Sequence, residues 1–193
     1  MSADLHAALQ GFERRLVDHG APIATEFRAG LPDGEIETQF APLALPLPSE
    51  LRAWWRWRNG APLGRGARTS GDFSPLGVAD AVSEYRHSRV ILIGDRGEPA
   101  DEPNHAWPGS FVPIVGMSYG VIACDCSHTE RAPARLITWV DGMYESGTAS
   151  LAEMVEWWND AIDGGGWKPT TGPGSWITST ERLPPERRMT GLL

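Results

Sequence analysis

The most regular hydrophobic pattern in the chain lies at residues 48–60 and predicts a short helix. Apolar and aromatic positions recur on one face at helical spacing: Leu51, Trp54 and Trp55, with Arg58 one turn further. Pro48 suits the first turn of such a helix, and Asn59-Gly60 favours the left-handed geometry that ends one. We therefore expect the first three side chains in the core and Trp57 toward the other, exposed side.

Three more helices follow from the same periodicity. They are predicted over residues 4–19, 78–88 and 150–163. Ser2 or Asp4 can cap the first of them. Ser150 and Glu153 form a capping box at the start of the last one. The inward stripe of that last helix is Leu151, Met154, Val155, Trp158 and Ile162.

Short apolar runs in the second half of the chain predict antiparallel strands. These are residues 107–115 and 119–126, paired as a hairpin, and residues 134–140. Two segments stay open: residues 35–40, within an irregular stretch, fit an edge strand or a helical turn, and residues 90–93 fit a helix end or a strand. The order of elements predicts an α+β domain, a mostly antiparallel sheet flanked by helices, over residues 1–163. A Gly- and Pro-rich tail over residues 164–193 completes the chain.

The charge balance favours a basic protein partner over nucleic acid. The chain has 193 residues, with 17 basic and 25 acidic side chains and a net charge of −8. Such a chain is poorly suited to hold a phosphate backbone. No apolar run approaches the roughly 20 residues that span a bilayer, and the first residues lack a secretion signal, so we expect a cytoplasmic protein and no membrane partner.

Two features are candidate partner contacts. Residues 94–105 are acidic and rich in turn formers, which predicts a surface loop. Its carboxylates are the first candidates: Asp95, Glu98, Asp101 and Glu102. Trp57 is the second candidate, because exposed tryptophan is enriched at binding hot spots.

The sequence offers little to a catalytic or metal site. Cys124 and Cys126 lie on one face of a strand with His128 nearby, but no further ligand pair completes a zinc site. Two buried free thiols are the favoured interpretation. Asp125 lacks a paired acid or base, so a structural role is favoured over a catalytic one. We predict no catalytic residue, no metal and no cofactor.

Several short motifs, in the same order, resemble the SMI1/KNR4 (SUKH) superfamily. They are its "Leu-Pro…aromatic…Asn-Gly" helix at Leu47, Pro48, Trp54, Asn59 and Gly60, its "Trp…aromatic-x-Pro-Ile" strand at Trp107 and Pro113, its "Gly…apolar…Asp" strand at Asp125, and its closing helix at Ser150. The resemblance covers about residues 31–163. The long acidic loop and the tail have no counterpart in it, and two cysteines flank Asp125 where aliphatic residues are expected.

The resemblance implies a single α+β domain with a non-enzymatic, protein-binding role. Many bacterial members of this superfamily are immunity proteins that neutralise a cognate polymorphic toxin, often a nuclease. We therefore expect an immunity protein, and the net charge of −8 favours a basic toxin domain as its partner. The alternatives are a regulatory or scaffolding SUKH module that binds a housekeeping protein, and a small-ligand binder or hydrolase that uses Asp125.

Overall fold

A computed structural model describes residues 4–62, 73–94, 107, 109–117, 120–128, 134–140, 143–146, 149–169 and 176–178. The helices are α1 (Leu5–Asp18), α2 (Ile23–Glu26), α3 (Asp33–Phe40), a 3-10 turn (Ala41–Leu43), α4 (Ser49–Trp57), α5 (Val78–Gly94) and α6 (Leu151–Asp163). The strands are β1 (Ser74–Pro75), β2 (Phe111–Met117), β3 (Gly120–Asp125), β4 (Leu136–Val140), β5 (Met143–Ser146), β6 (Trp167–Pro169) and β7 (Trp176–Thr178).

Five of the strands form an antiparallel sheet in the order β1-β2-β3-β4-β5. Val112 lies opposite Cys124 in the β2–β3 hairpin, and a register shift occurs between Pro113 and Val115. Helix α5 packs on β2 and lies between β1 and β2 in the chain, whereas α1 to α4 precede the sheet and α6 follows β5. The predicted α+β class is confirmed, and so are the hairpin and the strand ending at Val140.

Helices α1 and α6 lie side by side, and local signals set where each one begins and ends. Asp4 Oδ1 accepts the His6 N–H at 3.0 Å, which caps α1. The predicted capping box of α6 is present. At the far end the Arg15 guanidinium donates two hydrogen bonds to Asp163, at 2.8 and 2.6 Å, and ties the two helices together.

The core contains an aromatic cluster where the helices α1, α4 and α6 meet. Leu51, Trp54 and Trp55 are fully buried, as the helical spacing predicted. Trp158 from α6 lies 5.3 Å from the Phe12 ring and 6.2 Å from the Trp54 ring, measured between centroids. The three helices α1, α4 and α6 therefore meet through aromatic contacts, whose preferred tilted geometries hold them in register.

Asn59-Gly60 follows the end of α4 as expected, but the pair does not itself cap that helix. The helix ends at Trp57, and Arg58 is extended and bridges Ala29. Asn59 instead caps the next helix, because its Oδ1 accepts the Val78 N–H at 2.9 Å. Gly60 does adopt a left-handed conformation (φ +72°), and a Cβ there would lie 2.2 Å from the nitrogen of Gly77. The pair thus joins the end of α4 to the start of α5.

The two open segments are both helical. Residues 33–40 form α3 after Pro32, with Ile36 and Phe40 buried, so the expectation of an irregular chain is wrong there. Residues 90–93 belong to α5, which continues to Gly94.

The structure also adds β5 and the β6–β7 pair, neither of which was predicted. Trp167 of β6 is buried against Phe73, so the first residues of the tail pack on the core. Within the described ranges, no helix is both long and apolar enough to cross a membrane.

Candidate interaction surface

Trp57 lies at the boundary of the core rather than freely exposed on the far side of α4. Its ring centroid is 5.5 Å from that of Trp54 and 5.1 Å from that of Phe27, and Phe12 lies on its other flank. The reason is geometric: at 100° per residue Trp57 is 60° from Trp54, three positions earlier. The indole is half-buried rather than exposed, so the expectation of an exposed side chain is only partly met. Its part in partner binding stays a prediction.

Glu13 of α1 holds this indole in place. Its Oε2 accepts the Trp57 Nε1–H at 2.8 Å, and its Oε1 accepts a hydrogen bond from the Arg58 guanidinium. The side chains of Arg58 and Glu13 are 31% and 29% exposed. Both carboxylate oxygens are therefore used, and charge-assisted hydrogen bonds link α1 to the end of α4. The indole has one orientation fixed by packing and hydrogen bonding together.

A groove of about 570 Å³ runs between α1 and α4 beside this cluster. Trp57, Arg58 and Glu13 form one wall. His6 and Gln10 of α1 line the groove as well, and they hydrogen-bond each other at 2.8 Å. Arg56 of α4 completes the lining together with Ala53. A rigid aromatic edge is thus surrounded by polar and charged groups, which is the composition of a binding surface.

The groove carries positive charge on an acidic chain. The Arg56 side chain is 60% exposed, and its Nη1 lies 3.6 Å from Asp33 Oδ2, an ion pair but longer than a hydrogen bond. Arg58 is paired with Glu13, and Arg56 pairs with Asp33, which is not a lining residue, so the lining itself holds two arginines and one glutamate. The guanidinium of Arg56 therefore keeps donors that face solvent.

A second concavity adjoins the first along α1. It is lined by Gln10, Glu13, Arg14, Val17 and Asp18, and so shares Gln10 and Glu13 with the groove. Val17 is 59% exposed, the one large hydrophobic side chain with high exposure in the part of the chain that is described. The surface of α1 thus offers an apolar position one step beyond the charged groove.

The sequence also singled out the acidic carboxylates and Asp125. Asp95, Glu98, Asp101 and Glu102 fall outside the described residues, so their part in binding stays a prediction. Asp125 lies at the end of β3. Its Oδ1 accepts the Ser127 N–H at 2.8 Å, which closes a turn after β3.

Cys124 and Cys126 are both free and fully buried. A hydrogen bond with Cys126, and then burial, raise the pKa of the Cys124 thiol well above its ordinary value. A protonated, enclosed thiol is a poor nucleophile and a poor metal ligand. Over the described residues, no three His, Cys, Asp or Glu side chains lie close enough together to hold a metal ion.

The residues that carry the family resemblance have structural roles. Pro48 is buried before α4, Trp54 and Trp107 are buried, and Pro113 lies at the irregularity in β2. Leu47 is half-buried against the core, the Trp107 indole donates to Phe111 O at 2.8 Å, and Ser150 caps α6.

Glu50, in the first turn of α4, joins that helix to the sheet side of the fold. Its Oε2 accepts the Ala134 N–H at 2.8 Å. Burial is the largest effect on this carboxyl and raises its pKa, the Ala134 N–H opposes the shift, and Glu153 adds to it. The Glu50 carboxylate therefore links α4 to residue 134, although burial disfavours its charged form.

Reasoning from sequence missed the six other lining residues of the groove: His6, Gln10, Glu13, Ala53, Arg56 and Arg58. Glu13 fits a solvated helix face, because nothing local shows that residue 13 meets residues 57 and 58. The only usable signal was Trp57 itself, which pointed to the right place. No protein-family model matches this chain, and no curated protein matches it significantly.

Proposed function

We propose that this chain is a non-enzymatic protein-binding domain that acts in the cytoplasm as an immunity protein against a basic toxin. One observation carries the protein-binding part: Trp57 is locked by Glu13 at the rim of an open, charged groove. A pre-ordered aromatic side chain loses little conformational freedom on binding, which is the property of a hot-spot residue. The choice of an immunity role rests on the resemblance to the SMI1/KNR4 superfamily and on the net charge of −8.

Charge and groove have different parts in this proposal. A net negative protein attracts a basic partner over a distance of about one Debye length, roughly 8 Å in physiological salt. The carboxylates Asp95, Glu98, Asp101 and Glu102 contribute to that attraction. The groove supplies the short-range contact. Neutralising all four carboxylates should slow association about tenfold at low salt, with a much smaller effect on dissociation.

The direct test is co-expression with the product of a toxin gene encoded beside this one. Wild-type chain should restore growth of a bacterial host that produces the toxin, and the two proteins should co-purify. A control variant, Arg86→Gln, removes one exposed charge on α5, away from the groove, and should restore growth as well as wild type does. If the neighbouring genes encode no toxin, or if co-expression leaves growth inhibited, the immunity proposal fails.

The alternative of a regulatory SUKH module keeps the same groove and changes only the partner. A neighbourhood without a toxin, together with co-purification of a housekeeping protein through Trp57, would favour it. The hydrolase alternative has less support, because Asp125 is used to close a turn.

A further inference from the structure

We propose that the groove between α1 and α4 binds an acidic side chain of the partner, with its carboxylate on Arg56 and its neighbouring residues against Trp57 and Val17. This inference deepens the proposed function and rests on it, since it names the chemistry of the segment that the domain recognises. The occupant is a short acidic peptide segment on the surface of a protein.

The exposed cation selects for a carboxylate. Arg56 is 60% exposed and lies 3.6 Å from its described acidic neighbour, so its guanidinium can form a bidentate pair with an incoming carboxylate. Arg58 is less accessible, with 31% of its side chain exposed, and its Nη2 already donates to Glu13, which also accepts the Trp57 indole N–H. The groove therefore offers one strong anion-binding group and one rigid aromatic edge beside it.

The shape selects for a peptide segment rather than for a small ion. The groove and its neighbour share Gln10 and Glu13, and together they extend along α1 from His6 to Val17. Eleven helical steps correspond to about 16 Å, the length of roughly five extended residues. Val17, 59% exposed, provides an apolar contact at the far end. An acidic residue followed by an apolar one about four residues later fits this surface.

The charge of the groove opposes that of the whole chain, and this gives it a use in specificity. A basic partner attracted by a charge of −8 can approach in many orientations. An orientation that places one of its acidic residues on Arg56 gives this guanidinium a second carboxylate partner beside Asp33. A sign reversal of this kind fixes register and disfavours other basic proteins, because their cationic side chains would meet Arg56 instead.

The test pans a random twelve-residue phage-displayed peptide library against the full chain. We expect enriched peptides to contain Asp or Glu with an apolar residue about four positions away. Arg56→Gln should weaken their binding about tenfold to hundredfold, and Arg86→Gln should leave it unchanged. Enrichment of peptides without an acidic residue, equal binding to Arg56→Gln, or no enrichment at all would overturn the inference. Circular dichroism would establish that both variants are folded.

A second measurement places the peptide in the groove. Titration of an enriched peptide into labelled protein should shift the Trp57 indole N–H resonance, assigned by its loss in Trp57→Phe. Unshifted Trp57 with bound peptide would also overturn the inference. Failure here is distinguishable from failure of the proposed function: a toxin neutralised equally well by wild type and by Arg56→Glu leaves the immunity role standing and removes only the groove.

Discussion

The Glu13 carboxylate is the interaction whose removal most sharply tests how the groove is built. Glu13→Ala removes both acceptors that hold Trp57 and Arg58. The replacement keeps a helix-forming residue in α1, so the change reports on the lost contacts rather than on helix propensity. The indole N–H then loses its protein partner in a half-buried site, and the guanidinium loses its counter-charge.

The size of the effect follows from burial. Both charged side chains are less than one-third exposed, so the pair is worth more than a surface salt bridge. A charge-assisted hydrogen bond contributes about 1.5–3 kcal/mol, and the unpaired indole adds to the loss. We expect Glu13→Ala to lower the free energy of unfolding by about 2–3 kcal/mol. Glu13→Gln keeps one acceptor and should cost about 1 kcal/mol.

Urea denaturation at neutral pH, followed by circular dichroism and tryptophan fluorescence, measures these differences. The matched control is Glu156→Ala, which removes an exposed glutamate from α6. A double-mutant cycle of Glu13→Ala with Arg58→Gln should give a coupling energy of about 1–2 kcal/mol. If Glu13→Ala and the control differ by less than about 0.5 kcal/mol, the carboxylate does not organise the groove.

Three further predictions concern the fold. Gly60→Ala should lower the free energy of unfolding by about 2 kcal/mol or more, since φ is +72° and a Cβ would clash with the backbone of Gly77. The control Gly34→Ala, where a Cβ would meet open space, should leave the melting temperature unchanged or raise it. Glu50→Gln should be at least as stable as wild type at neutral pH, because a carboxyl with a raised pKa loses its stabilising effect as the pH rises through that pKa. Glu50→Ala should lower the free energy of unfolding by about 1–3 kcal/mol in urea denaturation, because it leaves the Ala134 N–H unpaired. Hydrogen bonding to Arg15 lowers the pKa of Asp163. The Arg15–Asp163 pair therefore stabilises the fold fully at pH values above the ordinary carboxyl pKa, and this contribution is lost as the pH falls through the lowered pKa. Asp163→Asn should therefore cost about 0.5–1 kcal/mol at neutral pH, and the difference should close in acid titrations of stability.

Local signals made the helices α1, α4 and α6 predictable. The periodic stripes of all three helices, and the caps of α1 and α6, depend on residues within one or two turns, as the Ser150–Glu153 box shows. The β2–β3 hairpin was predictable for the same reason. The stretch at residues 35–40 was ambiguous because six residues fit either period, and only the burial of Ile36 and Phe40 against the rest of the molecule decides for a helix.

The interactions that build the groove were not predictable, because they join distant parts of the chain. Glu13 and Trp57 are separated by 44 positions, and Glu13 and Arg58 by 45. Asn59 illustrates the same limit on a smaller scale: its amide suits a helix end, yet it caps the helix that starts 19 positions later. A turn former signals that the chain changes direction, but the partner of its side chain is set by tertiary packing.

The half-burial of Trp57 connects the fold with the proposed function. Helical phase places this residue at the edge of the α4 core face, and Phe27 covers the flank that would otherwise be open. The covering is possible because residues 28–31 run beside the end of α4, where the Leu31 N–H donates to Trp55 O at 3.0 Å. An indole packed on three rings and hydrogen-bonded at its edge cannot rotate away from a partner. A freely exposed indole would lose that conformational freedom on binding, so the packing that makes Trp57 less exposed also makes it the better contact.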